Sequence, residues 1–466
     1  MDKLTFALYF GNRGFFPESL IASARSEVAE AVARAGHASI VLDEKATRFG
    51  AVEGAEEGRR YAGFLEDHAG KYDGVIISLP NFGDENGAIA ALRDCGVPIL
   101  IQAYPDEAGK MDFQRRRDAY CGKFSIMDVF CQYGLPFTAL EPHVAHPSSP
   151  EFARQLEVFA ATCRIAKRMR RASIGAIGAR TTLFKTVRFD ELALQRKGLT
   201  VEALDLSELF ARVRGIETSG AKFKAKRERL VGYANFSSVP EAKTDLLAKV
   251  GAAIDDIIED YRLDAIALRC WNEIEQELAV SPCVLLSELN DRGIVAACEL
   301  DVCNAVPMLA LAAASRLPAT CLDWNNNYGS DPDKCILFHC GPVPQRLMAD
   351  KGRVVEHAMF AKSYGAGCGW GCNVGRIAAS PMTYASAKTD SGRLVLYLGE
   401  GRFTGEPIEE GFFGCGGVAE IPGLQAKLLG IGKGGFRHHV SVTFGSYAAA
   451  LRDAFETYLG YELADF

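Results

Sequence analysis

The sequence predicts an α/β protein: two doubly wound parallel-sheet domains followed by a C-terminal β-rich domain, antiparallel and barrel-like. Three observations carry this reading. The N-terminal third alternates short apolar runs with amphipathic stretches of helical period, the order that builds a parallel sheet. The pattern restarts near residue 170. After His339 it gives way to alternating runs and glycine clusters, the mark of antiparallel strands. A chain of 466 residues exceeds one small core, so two or three domains are expected. We place them at 1–168, 169–340 and 341–466.

"LTFALYF" (4–10) reads as the first strand, and "PESLIASARSEVAEAVARAG" (17–36) as an amphipathic helix closed by Gly36. "SIVLD", "GVIISLP" and "VPILIQAY" are apolar runs too short for helices, and "GAIAALRDCG" is a helix between the last two. Ligands of such sheets bind beyond the carboxyl ends of the strands. The loops "GNRGFFP", "PNFGDE" and "AYPDE" fall there, bringing Arg13 and Asn81. The helix "PEFARQLEVFAATCRIAKRMRR" leads into a fresh strand, "ASIGAIGA", whose glycines lack the G-x-G-x-x-G spacing of a dinucleotide site. "LTVEALDLSELF", the helix "EAKTDLLAKVGAAIDDIIEDYRL" and the strand "DAIALRC" repeat the scheme. "RLVLYLGEG" and "HHVSVTFG" are strands of the third domain, and "YAAALRDAFETYLG" is a closing helix.

Composition narrows the function. The net charge is -7, and no basic tract interleaved with aromatics occurs, which argues against nucleic-acid binding. The first residues, "MDKLTFALYFGNRGFF", do not read as a signal peptide, and no apolar stretch reaches membrane-spanning length. We therefore expect a cytoplasmic protein with no membrane partner, whose 14 cysteines are mostly reduced, core-filling thiols. Cys368 and Cys372 form one close pair, and no second pair completes a four-thiolate zinc site.

Polar residues gather in the second half. "LRCWNEIEQEL" sets Trp271, Asn272 and Glu273 at a strand end; "GIVAACELDVCNAV" embeds Glu299 and Asp301 in an apolar run; "LDWNNNYG" holds Asp323, Trp324 and Asn325; "LFHCG" holds His339; "GFRHHVSVTFG" holds His438 and His439. Each has a plain alternative: Glu299 as a helix N-terminal acid, Asp323 as a turn cap, His339 as a satisfied core histidine, and the His438–His439 pair as a strand-start pair with one ring at the surface. Taken together, two carboxylates and two imidazoles in apolar surroundings are costly to bury unless paired or metal-bound. That donor set suits a divalent ion such as Mn²⁺. Trp271, Trp324 and Trp370 adjoin these clusters; their rings could pack on the C–H face of a sugar, and they could equally mark well-packed cores.

At these residues the chain resembles the L-fucose isomerase/L-arabinose isomerase superfamily, in particular its shorter fucose isomerase-like members. The stretches that carry the resemblance include "GNRGFFPESL", "PNFGDE", "RRDAYCGKFS", "GAIGARTTLFKTVRFDE", "ACELDV", "LDWNNNYGSDPDKCILFHCG", "GEGRFTGEP", "VAEIPGLQ" and "HHVSV", and they run the length of the chain. The resemblance implies a Mn²⁺-dependent aldose–ketose isomerase of carbohydrate metabolism, a homo-trimer or hexamer with the active site near a subunit interface. It implies Glu299 and Asp323 as metal ligands that also exchange the substrate proton, His339 and His439 as further ligands, and a small sugar as the bound partner. Arg13, Asn81, Trp271, Trp324, Asn325 and His438 are the expected sugar contacts. Lys123, Arg180 and Lys185 lie in the matching motifs and could meet an anionic group or form structural ion pairs. The alternatives are a non-catalytic sugar-binding or regulatory protein and a metal-dependent aldolase or epimerase. The sugar is left open, a deoxy or anionic hexose included.

Overall fold

A computed structural model describes residues 3–181 and 183–466. The chain forms two compact units, one of Met1–Lys167 and Asp453–Tyr458, the other of Arg168–Arg452 and Leu459–Phe466.

The first unit holds a parallel sheet of β1 (Thr5–Phe10), β2 (Ala38–Val41), β3 (Gly74–Leu79) and β4 (Ile99–Ala103), in the order β2-β1-β3-β4. Helices cover both faces, so β3 and β4 are buried at every position, which is why they read as continuous apolar runs rather than alternating ones. One face packs Phe6, Leu8 and Ile76 against Phe152, Leu156 and Phe159 of the helix that starts at Pro150; the other packs Ala7, Val75 and Ile77 among Tyr61, Leu65 and Ile126. Strand order reverses between β1 and β3, so their carboxyl-end loops face one another. The closing segment is the helix Ala448–Asp453 followed by a π turn, Ala454–Tyr458, in place of one uniform helix. That turn brings Asp453 and Tyr458 onto the hydroxyl of Thr138, at 2.6 and 2.9 Å.

The second unit contains two sheets. Parallel β5 (Ala172–Ile177), β6 (Leu199–Leu204), β7 (Ala265–Leu268) and β8 (Val295–Ala297) run in the order β6-β5-β7-β8, again with a reversal at the centre. The other sheet has nine strands: β9 (Thr320–Asn327), β10 (Lys334–His339), β11 (Arg353–Glu356), β12 (Trp370–Arg376), β13 (Ser380–Asp390), β14 (Arg393–Phe403), β15 (Cys415–Glu420), β16 (His439–Phe444) and β17 (Glu462–Leu463). Six of them, in the order β15-β10-β9-β16-β13-β14, close through β14–β15 pairing into an antiparallel barrel, with β11, β12 and β17 added outside it. The fold class read from the sequence is the one observed. Closure removes the edges an open sheet would expose, and the interior is filled by Leu322, Leu337, Tyr384, Tyr397, Phe403, Val440 and Val442.

Between β8 and β9 runs the helix Val302–Ser315, apolar on almost every side and buried accordingly, against β8, β13 and β16. It links the parallel sheet to the barrel. All fourteen cysteines are free thiols, most of them buried. No helix among the described residues is long and apolar enough to cross a membrane.

Candidate metal centre

The centre is built where β8 ends. Glu299 and Leu300 both take left-handed backbone conformations, φ 58° and 60°, which cost a non-glycine residue on the order of 1–3 kcal/mol each. The surroundings hold them: Leu300 N–H donates to the carbonyl of Leu268 on β7 at 3.1 Å, and Asp301 N–H to that of Cys298 at 3.0 Å. This double kink presents the Glu299 carboxylate and sets Asp301 as N-cap of the helix Val302–Ser315, accepting from Asn304 N–H at 3.1 Å.

The barrel supplies the remaining groups from three adjacent strands. Asp323 of β9 stands directly opposite His439 of β16, and Phe338 of β10 opposite Asp323, which brings His339 alongside. The Nε2 of His439 lies 3.2 Å from a Glu299 oxygen and 3.4 Å from Asp323 Oδ1. Asp323, His339 and His439 each offer a ligand atom within 4.8 Å of the others, and so do Glu299, His438 and His439; His439 is common to both groups. The structure thus brings together all four residues expected as ligands.

The state of the donors fits a cation. Asp323 Oδ1, His339 Nε2 and His439 Nε2 are buried and have no hydrogen-bond partner. An unpartnered buried polar atom costs about 1–3 kcal/mol, and three facing one space mark a place for a ligand. The opposite nitrogens are engaged. His439 Nδ1 pairs with Asp301 Oδ2 at 2.7 Å, and His339 Nδ1 accepts from Cys340 N–H at 2.8 Å. Each ring therefore turns Nε2 inward. For His439 the Asp301 carboxylate keeps the proton on Nδ1 and leaves the Nε2 lone pair to the centre, whereas His339, whose Nδ1 accepts from Cys340 N–H, carries its proton on Nε2 when neutral and must give up that bond to ligate a cation. Asp301 is itself held by the buried Arg437 guanidinium and by the Asn304 amide at 2.7 Å.

Charges follow the same layout. Burial alone would raise the Asp301 carboxyl, but Arg437 and His439 hold it far below the ordinary range. Burial opposes ionisation of Glu299 too, and the His439 imidazole close by, with His339 and His438, outweighs it, lowering its pKa. Burial also works against a proton on His439, and Cys321, Asp301 and Glu299 together raise its pKa well above the usual value. His438 moves the other way: desolvation and the neighbouring His439 lower it.

Of the expected sugar contacts, His438 and Trp271 border this group. His438 is 41% exposed at its side chain, 3.7 Å from Asp323, and stacks on Phe184. Phe184 meets Trp271 edge to face (centroids 5.2 Å), and Trp271 meets Phe360 in the same way at 5.3 Å. These rings form one wall. Trp324 turns elsewhere: successive residues of a strand face opposite sides, so beside an Asp323 that faces the centre it enters the barrel core, its indole N–H donating to Tyr397 Oη at 3.0 Å. Asn325 is exposed and is the extra residue of a β-bulge, since Trp324 and Asn326 pair with consecutive residues of β10. Arg13 and Asn81 belong to the first unit. There Arg13 pairs with Glu85 and lies over Phe82, and Asn81 accepts from Arg13 N–H, at the reversal of strand order. Asp301 as the partner of His439, Arg437 and Phe184 were not singled out as site residues by sequence; only Asp301 left a signal, an acid inside an apolar run.

Comparison with known proteins adds to this geometry. Residues 7–170 match the family model of the fucose/sulfoquinovose isomerase N-terminal domain, and residues 337–466 that of the L-fucose isomerase C-terminal domain. A sulfoquinovose isomerase of Alkalicoccus urumqiensis is 22% identical over 399 residues, covering 84% of this chain and 85% of its own. That of Priestia aryabhattai is 22% identical over 396 residues, covering 82% and 83%. A third, from Clostridium sp. (strain MSTE9), is 24% identical over 267 residues, 55% of this chain and 56% of its own.

Proposed function

The chain belongs to the fucose isomerase-like superfamily of aldose–ketose isomerases, and we propose that it interconverts an aldose and its ketose at the Glu299–Asp323–His339–His439 centre with the aid of a divalent cation, Mn²⁺ first among the candidates. One observation carries this reading: Glu299, just past the end of β8, converges with Asp323 of β9, His339 of β10 and His439 of β16, and three buried atoms of this group make no hydrogen bond. A cation bound there would polarise the substrate carbonyl and stabilise the enediolate that aldose–ketose exchange passes through.

The chain's own residues account for the rest. Glu299, buried and held ionised by His439, takes the proton from one of C1 and C2, and Asp323 on the facing strand completes the transfer between the two carbons and their oxygens. Trp271 and Phe184 exclude water along one side and offer apolar faces to the C–H surface of the sugar. The substrate class we favour is a hexose with an anionic substituent, with sulfoquinovose the first to test, because that is the sugar named for the relatives above. We also propose that the protein works as a homo-oligomer, with the Arg13–Asn81 loops near a neighbouring subunit's centre; sedimentation equilibrium reads the assembly directly.

The mechanism is tested with Glu299→Gln, which keeps size and removes the base. Turnover should fall about 10²–10⁴-fold, the usual contribution of a positioned proton-transfer group, while circular dichroism stays that of the parent. Near-normal turnover in a folded Glu299→Gln variant would sink the role given to Glu299.

A further inference from the structure

His357 lies outside every stretch used so far. It directly precedes the helix Ala358–Tyr364, and its backbone N–H donates to Gly369 O at 2.8 Å. Only 1% of the residue is exposed. Its ring lies between Phe360 and Phe413, at centroid distances of 4.2 and 4.7 Å, and Nδ1 is buried with no hydrogen-bond partner. A phenylalanine would fill that aromatic slot without leaving a buried polar atom unsatisfied, a cost of about 1–3 kcal/mol. Packing alone therefore does not account for an imidazole here.

A chain of ring contacts ties the ring to the candidate centre: the wall described above runs without a break from His438 through Phe184, Trp271 and Phe360 to His357. Burial pushes its pKa down to about 4. The ring is thus neutral at physiological pH. A neutral imidazole has one donor and one acceptor, which suits a hydroxyl rather than a sulfonate or carboxylate. His357 is absent from both groups of atoms that could hold the metal, so its unpartnered nitrogen is not explained by the ion.

We propose that His357 is a substrate-binding residue of this centre, exchanging a hydrogen bond with a hydroxyl of the sugar chain beyond the two oxygens nearest the metal. The inference rests on the isomerase reading. The unpartnered Nδ1 is completed by the substrate, and the Phe360–Phe413 slot fixes the ring so that little orientational freedom is lost on binding.

The test is calorimetric binding of straight-chain alditols (glucitol, fucitol, arabinitol and ribitol) to Mn²⁺-loaded protein, as the parent, as His357→Phe and as His357→Gln. His357→Phe keeps the stacking and removes the polar atom; His357→Gln restores one. We expect at least one alditol to bind the parent, about tenfold or more weaker binding in His357→Phe, partial recovery in His357→Gln, and unchanged Mn²⁺ affinity and thermal midpoint in His357→Phe. On a turned-over aldose the same variant should raise KM with kcat little changed. Alditol binding at parental affinity in His357→Phe overturns the proposal, and so does a loss of Mn²⁺ affinity large enough to explain weaker alditol binding. If the parent holds Mn²⁺ but binds no alditol, the hydroxyl contact proposed for His357 is overturned; only a further failure to bind sulfoquinovose would sink the isomerase reading, which keeps the two outcomes separate.

Discussion

Glu299 and Asp301 stand two residues apart in one apolar run, and the backbone alone separates their roles. The left-handed pair at Glu299 and Leu300 sends the first carboxylate toward His439 Nε2 and the second toward Nδ1 of the same ring. In sequence both acids were legible as out of place in an apolar segment; that Glu299 rather than Asp301 is the expected ligand came from the family resemblance and not from the residues themselves, because the kink that separates them depends on contacts with β7 that only the folded chain makes. If Asp301 acts by orienting His439, Asp301→Asn should weaken Mn²⁺ binding about 10–100-fold, the usual effect of losing a partner behind a ligand. It should also lower stability, since Arg437 keeps its buried charge without a counter-ion. Calorimetric Mn²⁺ titration, run well below the variant's melting temperature, checks the first effect; parental affinity would reduce the Arg437–Asp301–His439 chain to a structural one.

At the scale of elements, strand alternation explains which aromatic and amide residues reach the centre. The polar cluster of β9 was plain in the sequence, but period-two geometry divides it. Asp323 turns toward His439 while Trp324 enters the barrel core, and the bulge at Asn325 shifts the register beyond. A bulge leaves no mark in composition, so the sequence could not place these side chains. The exit of β10 is equally constrained. Gly341 has φ +155°, and a Cβ there would stand 2.5 Å from the backbone N of Asn373. Gly341→Ala must displace either β12 or the end of β10 that bears His339. We expect a loss of more than about 1 kcal/mol and a smaller rise in denaturation midpoint on adding Mn²⁺, because the ion binds the displaced site more weakly. Paired denaturant curves with and without Mn²⁺ measure both; a parental gain would show that His339 is not moved.

Across the whole molecule, the parallel sheets were legible because their short apolar runs and helical stretches alternate locally, whereas the barrel joins β9 to β16 and β10 to β15 over long separations, a form of pairing that local patterns do not encode. The core of the second unit also carries a titratable group unconnected with catalysis. Glu275 is fully buried; desolvation pushes it up to about 8, and the Ser281 hydroxyl donates to it at 3.4 Å. Its ordinary pKa is near 4.3, so the folded state binds the proton more tightly than the unfolded one. The stability it contributes is complete below the unfolded value and is lost as pH rises through about 8. Denaturant unfolding of the parent should therefore show falling stability from pH 5 to pH 8, and Glu275→Gln should flatten that slope and be the more stable protein at pH 8. Parallel curves would mean that the carboxyl ionises in place. The central claim concerns the metal and the proton together, and its most direct measurement is deuterium exchange at C2 of a panel of aldoses, sulfoquinovose included, in D₂O with added Mn²⁺ and again with a chelator. The account predicts exchange with one sugar, accompanied by its ketose and abolished by the chelator; protein shown to hold its metal that exchanges no sugar, or exchange untouched by the chelator, would contradict it.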